Sequence, residues 1–264
     1  MLSRPVFAVI ALAVVHGCLA LASCSVAQGT SPGAQFPEAP RPAVRLAAEV
    51  QSQIAELRRQ VSAAVEARDS HAQAVLLNRI GALYYTHADP SDALAAFAET
   101  LTLVHRFHQP SAEATALCDL AASHFALGHA EDALDGYKRA LPLWRTAGDK
   151  AHEAATLGDI AEVFRVLGDA DEALKFNQQS LPLQMESGNR SGEAAVLNNI
   201  GLIYFARHDK KKALDYFNRA MGAYISLGNL AGEATTFNNI GGLYNEFGYR
   251  LKAIELFNRA LPLF

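Results

Sequence analysis

Two pairs of side chains have the spacing that chemistry on a helix requires. Asp159 and Glu162 lie three residues apart, so they share one helix face and are candidates for acid and base catalysis. His105 and His108 have the same spacing and could ligate a metal ion, although histidines near a helix C-terminus are more often surface residues that the helix dipole favours. Neither a phosphate-binding glycine loop nor an HExxH motif accompanies these pairs. We therefore predict that the protein is not an enzyme and has no catalytic residue, metal ion or cofactor.

The cysteine content and the net charge further limit the reactions and ligands that the protein can have. Cys18 and Cys24 lie near the N-terminus, which leaves Cys118 alone in the rest of the chain. Cys118 follows an apolar helical period, so we predict a buried small apolar residue and not a nucleophile. The chain is 50% hydrophobic and carries a formal charge of −4, so it can bury a core but has no evident basic surface for nucleic acid.

A fixed period organises most of the sequence. A small residue followed by an aliphatic one recurs every 40 residues, starting at Ala93, Ala133, Ala173, Ala213 and Ala253. Each copy contains a second apolar helical pattern before this point, with glycine or alanine at one position in every copy: Gly81, Ala121, Ala161, Gly201 and Gly241. A period of this size indicates a stacked array of helix pairs, and such arrays bind other molecules far more often than they catalyse reactions.

These copies resemble the tetratricopeptide repeat (TPR). The fourth copy shows the pattern most clearly, with Leu197-x-x-Ile200-Gly201-x-x-Tyr204 followed by Ala213-Leu214-x-x-Phe217. The period is 40 residues and not the standard 34, which is similar to the longer-helix subclass found in scaffold proteins and in bacterial proteins whose array precedes a caspase-like CHAT domain. The resemblance implies an all-α fold, a right-handed superhelical solenoid of antiparallel helix pairs.

The domain boundaries follow from the period. We predict a capping helix over 44–69 and five repeats over 71–264, which gives eleven helices in all. The repeats run over 71–110, 111–150, 151–190, 191–230 and 231–264, the last one truncated, which favours a longer parent protein. Asn177 replaces the usual aromatic residue of the second helix, so we expect the third repeat to pack least well. Pro142, Pro182 and Pro262 share one phase, where each either kinks a second helix or ends it.

The resemblance also implies a binding groove, because the first helices of a TPR array line its concave side. Side chains just before the small packing residue are expected to face that groove and to hold a protein or peptide ligand. Asparagine can donate and accept hydrogen bonds to a peptide backbone, but the same asparagines could instead join adjacent repeats. Acidic residues at the centre favour a basic or neutral ligand segment. The predicted groove residues are Asn78, Arg79, Asp119, Asp159, Glu162, Asn198, Asn199, Asn238, Asn239 and Asn245.

The N-terminal residues have the features of an export signal. Residues 1–24 contain Arg4, an apolar stretch and small residues, and the sequence Leu21-Ala22-Ser23-Cys24 resembles a lipobox, which predicts lipidation at Cys24. Ordinary cleavage after Ala27, giving a secreted protein, and an uncleaved membrane anchor are the alternatives. Residues 25–43 are rich in proline and read as a flexible tether.

Together these features predict an exported scaffold of the periplasm or cell envelope, anchored in a membrane by lipid, that binds a protein partner. Two alternatives remain open. The chain could be the N-terminal regulatory part of a longer protein such as a CHAT-domain protease, or it could be a peptide-sensing regulator built on similar repeats.

Overall fold

The computed structural model describes residues 47–87 and 89–263. This part of the chain contains eleven α-helices and no strand, which confirms the all-α prediction. The helices are α1 Ala48–Glu66, α2 Ser70–Thr86, α3 Pro90–Val104, α4 Pro110–Ala126, α5 Ala130–Ala147, α6 Lys150–Val166, α7 Ala170–Glu186, α8 Arg190–Ala206, α9 Lys210–Leu227, α10 Leu230–Glu246 and α11 Arg250–Ala260. Short 3-10 turns follow α3 and α11 at His105–Phe107 and Leu261–Leu263.

Successive helices pack against each other in chain order. The first helix of each repeat makes its largest contact with the second helix of the same repeat, and that second helix then contacts the first helix of the next repeat. The helix α1 covers α2 at the start of the described array. The result is a right-handed superhelical solenoid of antiparallel helix pairs, as predicted.

An aromatic ring lying on a glycine sets the approach of the two helices in three repeats. Phe217 of α9 is fully buried, and a Cβ atom placed on Gly201 of α8 would lie 2.6 Å from its ring. Phe97 lies against Gly81 in the first repeat in the same way. Because no real Cβ atom tolerates such a distance, the helices in these repeats approach as closely as the thickness of a ring allows.

The second and third repeats carry alanine in place of the first-helix glycine, and the facing residue on the second helix differs as well. Ala121 packs against Gly136, which precedes Tyr137, so the small residue has moved to the opposite helix. In the third repeat Ala161 is the small residue, and Asn177 stands where the first and fourth repeats carry phenylalanine. The Asn177 side chain is buried, with 1% exposure. Glycine in the first helix therefore occurs in the repeats where phenylalanine is the facing residue.

A second contact joins each repeat to the next. The Trp144 ring at the end of α5 stacks on the His152 ring in the first turn of α6, with ring centres 4.6 Å apart. The Tyr224 ring takes the corresponding place over Gly232 between the fourth and fifth repeats. Large side chains near the ends of second helices thus fix the step from one repeat to the next.

The buried face of α7 in the third repeat is unusually polar. Asn177, Ser180 and Gln184 are all enclosed, where the other second helices bury mostly apolar side chains. The hydroxyl of Ser180 donates to the Ala154 carbonyl oxygen at 2.7 Å, but Asn177 Oδ1 and Gln184 Oε1 accept no hydrogen bond from the described part of the chain. Buried polar atoms without partners lower stability, so this face is the physical reason to expect weak packing in the third repeat.

The shared prolines do not all behave alike. The helices α5 and α7 continue past Pro142 and Pro182, so these two residues lie in helix interiors. The helix α11, which precedes the third of these prolines, ends at Ala260, two residues before Pro262. Of the two alternatives, an interior proline therefore describes Pro142 and Pro182, whereas Pro262 lies in the 3-10 turn that follows α11, with Leu261 before it still in the right-handed α conformation.

Replacing Gly201 by alanine should destabilise the fourth repeat. The new methyl group would overlap the buried Phe217 ring, so we expect a loss of about 1–3 kcal/mol in the free energy of unfolding. Gly222→Ala is the matched control, because a Cβ atom there meets nothing within 4 Å on the exposed side of α9. The control should gain about 0.5–1 kcal/mol from helix propensity. Urea denaturation measures both variants, and equal changes in stability would contradict the ring contact.

Candidate functional site

The first helices form the inner wall of the array. Besides its own second helix, α6 contacts α8, and α8 contacts α10, so first helices of neighbouring repeats approach one another directly. Helices on the inside of a curved array are closer together than those on the outside. We therefore predict that the groove runs across α2, α4, α6, α8 and α10 and that one position in each helix faces it: Arg79, Asp119, Asp159, Asn199 and Asn239.

The position immediately before this one is buried in α2, α4 and α8 but exposed in α10. Asn78 and Asn198 are only 6% and 7% exposed, so they offer little surface to a ligand. The side-chain nitrogen of Asn239 donates to Asn198 Oδ1 at 2.9 Å and links the fourth and fifth repeats. For this pair the structure shows the alternative role, a bond between repeats. Asn238 and Asn245 are exposed and Asn199 is half-buried, and their contact with a ligand remains a prediction.

Two aspartates mark the centre of the groove. Asp119 and Asp159 occupy equivalent positions on α4 and α6, and both lie near the side chain of Tyr85 on α2. Desolvation raises the pKa of Tyr85, and the two carboxylate charges raise it further. The three side chains therefore share one stretch of the groove, although they come from three different repeats.

The groove walls weaken the acidity of both carboxyls. Desolvation raises the pKa of Asp119 to about 7. It also raises the pKa of Asp159 to about 7, with a further contribution from the negative charge of Glu162. Near neutral pH a fraction of these carboxyls is protonated, so a cation entering the groove would favour the ionised form.

Glu162 is held by a neighbour on its own helix. The Arg165 guanidinium donates two hydrogen bonds to the two Glu162 carboxylate oxygens at 2.7 and 2.6 Å. This bidentate pair fixes the orientation of both side chains. Asp159 and Glu162 do share one region of α6, as predicted, but Glu162 is an ion-pair partner and not a free acid or base.

Sequence reasoning missed three aromatic residues of the inner wall. Tyr85, Phe125 and Phe205 occupy the same phase of the 40-residue period near the ends of α2, α4 and α8, and each is half-buried. Their common period was the available signal. Each packs in part against the hydrophobic core, and Tyr85 also lies near Asp119 and Asp159.

Cys118 and His105, the other residues considered for chemistry, make contacts within the protein itself. Cys118 is 5% exposed, which confirms the prediction that it is buried, and desolvation raises its pKa to about 12. Its sulfur lies 3.4 Å from the Thr156 hydroxyl oxygen. His105 Nδ1 lies 2.9 Å from a carboxylate oxygen of Glu113, which opens the next first helix. Cys24 lies outside the described residues.

No helix within residues 47–87 and 89–263 is long and apolar enough to cross a bilayer.

Replacing Asn239 by alanine should lower stability. The change removes the bond to Asn198 and leaves a buried carbonyl oxygen unpaired, so we expect a loss of about 1–3 kcal/mol. Asn238→Ala removes the same side chain one position earlier, where it is exposed, and should change stability by less than about 0.5 kcal/mol. Thermal and urea denaturation of both variants test this; a harmless Asn239→Ala would show that the inter-repeat bond contributes nothing.

The comparisons agree with this architecture. The profile of the Tetratricopeptide repeat family matches three overlapping spans of the chain, 112–186, 152–226 and 192–264. No curated protein sequence gives a significant match. Among solved structures, BtubC (BKLC) from P. vanneervenii is similar with a TM-score of 0.70 and 22% identity, over 82% of this chain and 91% of that one.

Two further structures show the same fold at lower identity. Aspartyl phosphate phosphatase F from Bacillus subtilis is similar with a TM-score of 0.64 and 12% identity, over 81% of this chain and 68% of that one. RapI in its apo form is similar with a TM-score of 0.67 and 13% identity, over 82% of this chain and 92% of that one. The repeat profile covers more than half of the sequence and the helices keep the repeat's order, so the chain belongs to the tetratricopeptide repeat family.

Proposed function

We propose that the protein is an exported, lipid-anchored TPR scaffold whose inner groove binds an extended segment of a partner protein. The observation that carries this proposal is the central part of the groove, where Asp119 and Asp159 lie at equivalent positions of α4 and α6 beside Tyr85. We call these three residues the acidic centre. A surface with like charges at a regular step suits a regularly spaced ligand, and an extended peptide is such a ligand.

Charge supports a basic or neutral segment. Desolvation destabilises the ionised form of the two carboxyls of the acidic centre and so raises their pKa values. A lysine or arginine side chain beside them would restore the ionised form and gain a charge-assisted hydrogen bond. An acidic segment would add a like charge in a groove of low dielectric, which is unfavourable.

The remaining inner surface suits a peptide backbone. Asn199 and Asn238 can each donate and accept hydrogen bonds, and the half-buried rings of Phe125 and Phe205 have exposed area that could add apolar contact. Backbone hydrogen bonds give affinity without strict sequence demands, while the acidic centre selects for charge.

Binding, and not catalysis, is the activity that these groups support. Glu162 is tied to Arg165, and the raised pKa of Cys118 keeps its buried thiol protonated and unreactive.

Export and lipid anchoring rest on the N-terminal sequence. The lipobox-like Leu21-Ala22-Ser23-Cys24 and the proline-rich tether over 25–43 would place the array away from the membrane surface with its groove accessible.

The binding proposal predicts a charge preference that two mutations should remove. Binding of a fluorescent peptide of alternating lysine and alanine residues is measured by anisotropy, with an alternating glutamate and alanine peptide for comparison. The lysine peptide should bind more tightly, and Asp119→Asn with Asp159→Asn should weaken it by about 2- to 12-fold for each hydrogen bond lost. Binding should strengthen from pH 6 to pH 8, because the pKa of Asp119 is about 7 and the ionised form attracts the cation.

The control removes one negative charge elsewhere. Asp215 lies exposed on the second helix α9, so Asp215→Asn changes net charge without touching the groove. Equal weakening by the control and by either groove mutation would mean that the peptide responds to net charge alone, which would overturn the groove as the binding site. Preference for the glutamate peptide would overturn the acidic centre as the selective feature.

The anchoring proposal predicts that Cys24→Ser releases the protein from membranes. The change removes the acceptor of the lipid, so in a bacterial host that processes lipoproteins the protein should move from the membrane to the soluble fraction. Cys18→Ser is the matched control inside the same leader and should stay with the membrane. Membrane retention of Cys24→Ser with its leader intact would favour an uncleaved anchor, and a soluble wild type that begins at Gln28 would favour ordinary cleavage.

A further inference from the structure

Two histidines break the repeat pattern within a single repeat. His124 stands where the other first helices carry an aromatic residue, at Tyr84, Phe164, Tyr204 and Tyr244. His129 stands before α5, at the position where Asp89, Asp169 and Asp209 cap three of the other second helices by accepting a backbone hydrogen bond. The His129 side chain makes no such cap. Both departures from the pattern fall in the second repeat, five residues apart.

The turn between α4 and α5 holds these two histidines together. The backbone N–H of His129 donates to the His124 carbonyl oxygen at 2.9 Å, and that of Gly128 donates to the Phe125 carbonyl oxygen at 3.0 Å. Gly128 has φ of +84°, the left-handed conformation that this type of helix end requires. The relative position of the two histidine backbones is therefore fixed by main-chain hydrogen bonds.

A carboxylate completes the cluster. Asp132 lies in the first turn of α5, and one ligand atom from each of His124, His129 and Asp132 lies within 4.8 Å of the other two. His124 Nδ1 is 3.8 Å from Asp132 Oδ2, which is beyond hydrogen-bond distance. That nitrogen is buried and has no hydrogen-bond partner in the described part of the chain. A buried ring nitrogen thus faces a carboxylate and a second imidazole without bonding to either.

We propose that His124, His129 and Asp132 bind a divalent transition metal ion of the Zn²⁺ type. Two imidazoles and one carboxylate are a donor set that Zn²⁺ prefers, and a tetrahedral ion with three protein ligands keeps one position for water. Bonds of about 2.0–2.2 Å place tetrahedral ligand atoms about 3.4 Å apart, so the cluster must contract by roughly 1 Å. His129 and Asp132 are exposed, so both side chains can move while His124 stays fixed in the wall of the repeat.

The local field permits a cation here. His124 lies in the last turn of α4, where the helix dipole is negative, while Asp132 and Glu131 place two carboxylates in the first turn of α5. These charges offset the positive dipole at the start of α5. The ion would pin the turn that joins the two helices of the second repeat.

Zn²⁺ binding to the purified full-length chain, stripped of metal with EDTA and dialysed, tests the proposal by calorimetric titration. We expect one specific site, which His124→Phe or His129→Asn weakens by more than about tenfold, since even the loss of an outer partner of a ligand costs about 10–100-fold. Both changes restore residue types found at helix ends or packing positions elsewhere in the array, so folding should survive. Asp132→Asn, at a side chain 65% exposed, should weaken binding without affecting the core.

His105→Gln is the matched control, because His105 is an exposed histidine near His108 that pairs with Glu113. It should leave Zn²⁺ affinity unchanged. Zn²⁺ should also raise the melting temperature of the wild type and of His105→Gln, but not of His124→Phe with His129→Asn. Full Zn²⁺ affinity in that double variant, or the lack of any saturable site in the wild type, would overturn the proposal.

Discussion

The close contact between a large side chain and a missing one sets the geometry of the whole array. In the fourth repeat the Phe217 ring occupies the space that a side chain at Gly201 would need, and this fixes the separation of α8 and α9. Repeats stack through a similar contact, with Trp144 on His152 and Tyr224 over Gly232. Because each repeat meets only its neighbours, these local distances within and between repeats determine the path of the first helices along the array.

The groove shows how a fixed period distributes charge. One position on each first helix faces inward, so a change of residue type from repeat to repeat becomes a gradient along the inner wall. In the proposed groove Arg79 comes first, Asp119 and Asp159 follow, and the last two repeats carry asparagine at this position. A ligand that lies along the wall meets a basic, an acidic and a neutral stretch in turn, which gives the site a direction as well as a charge preference.

The sequence predicts much of this fold because the period carries the information. The spacing of Gly81, Gly201 and Gly241 indicates the helix pairs and their interlocking positions, and the structure confirms the all-α solenoid. The period does not decide which of two adjacent residues faces the groove. Asn198 and Asn199 differ by one position, or 100° around the helix, and only packing shows that Asn198 is enclosed and bonded to Asn239.

Other features depend on contacts that no linear pattern encodes. His124 reads in the sequence as a poor substitute for an aromatic residue, and its approach to His129 becomes visible only when the turn at Gly128 is built. The aromatic residues of the inner wall were detectable in principle, since Tyr85, Phe125 and Phe205 share the period, but half-buried rings on a first helix are easily taken for core.

The polar face of α7 has a mechanical consequence. Neighbouring repeats stabilise each other only through their interfaces, so the cooperativity of unfolding along the array is limited by its weakest interface. Asn177 and Gln184 place two amide oxygens that accept no hydrogen bond within residues 47–87 and 89–263 at the middle of the array. Thermal opening should begin there and divide the molecule into two cooperative units, one ending with α6 and one starting with α8, which amide exchange would reveal as two protected blocks. The two halves of the solenoid would then stay ordered while their relative orientation changes at α7, so the length of the groove could adjust to different partners.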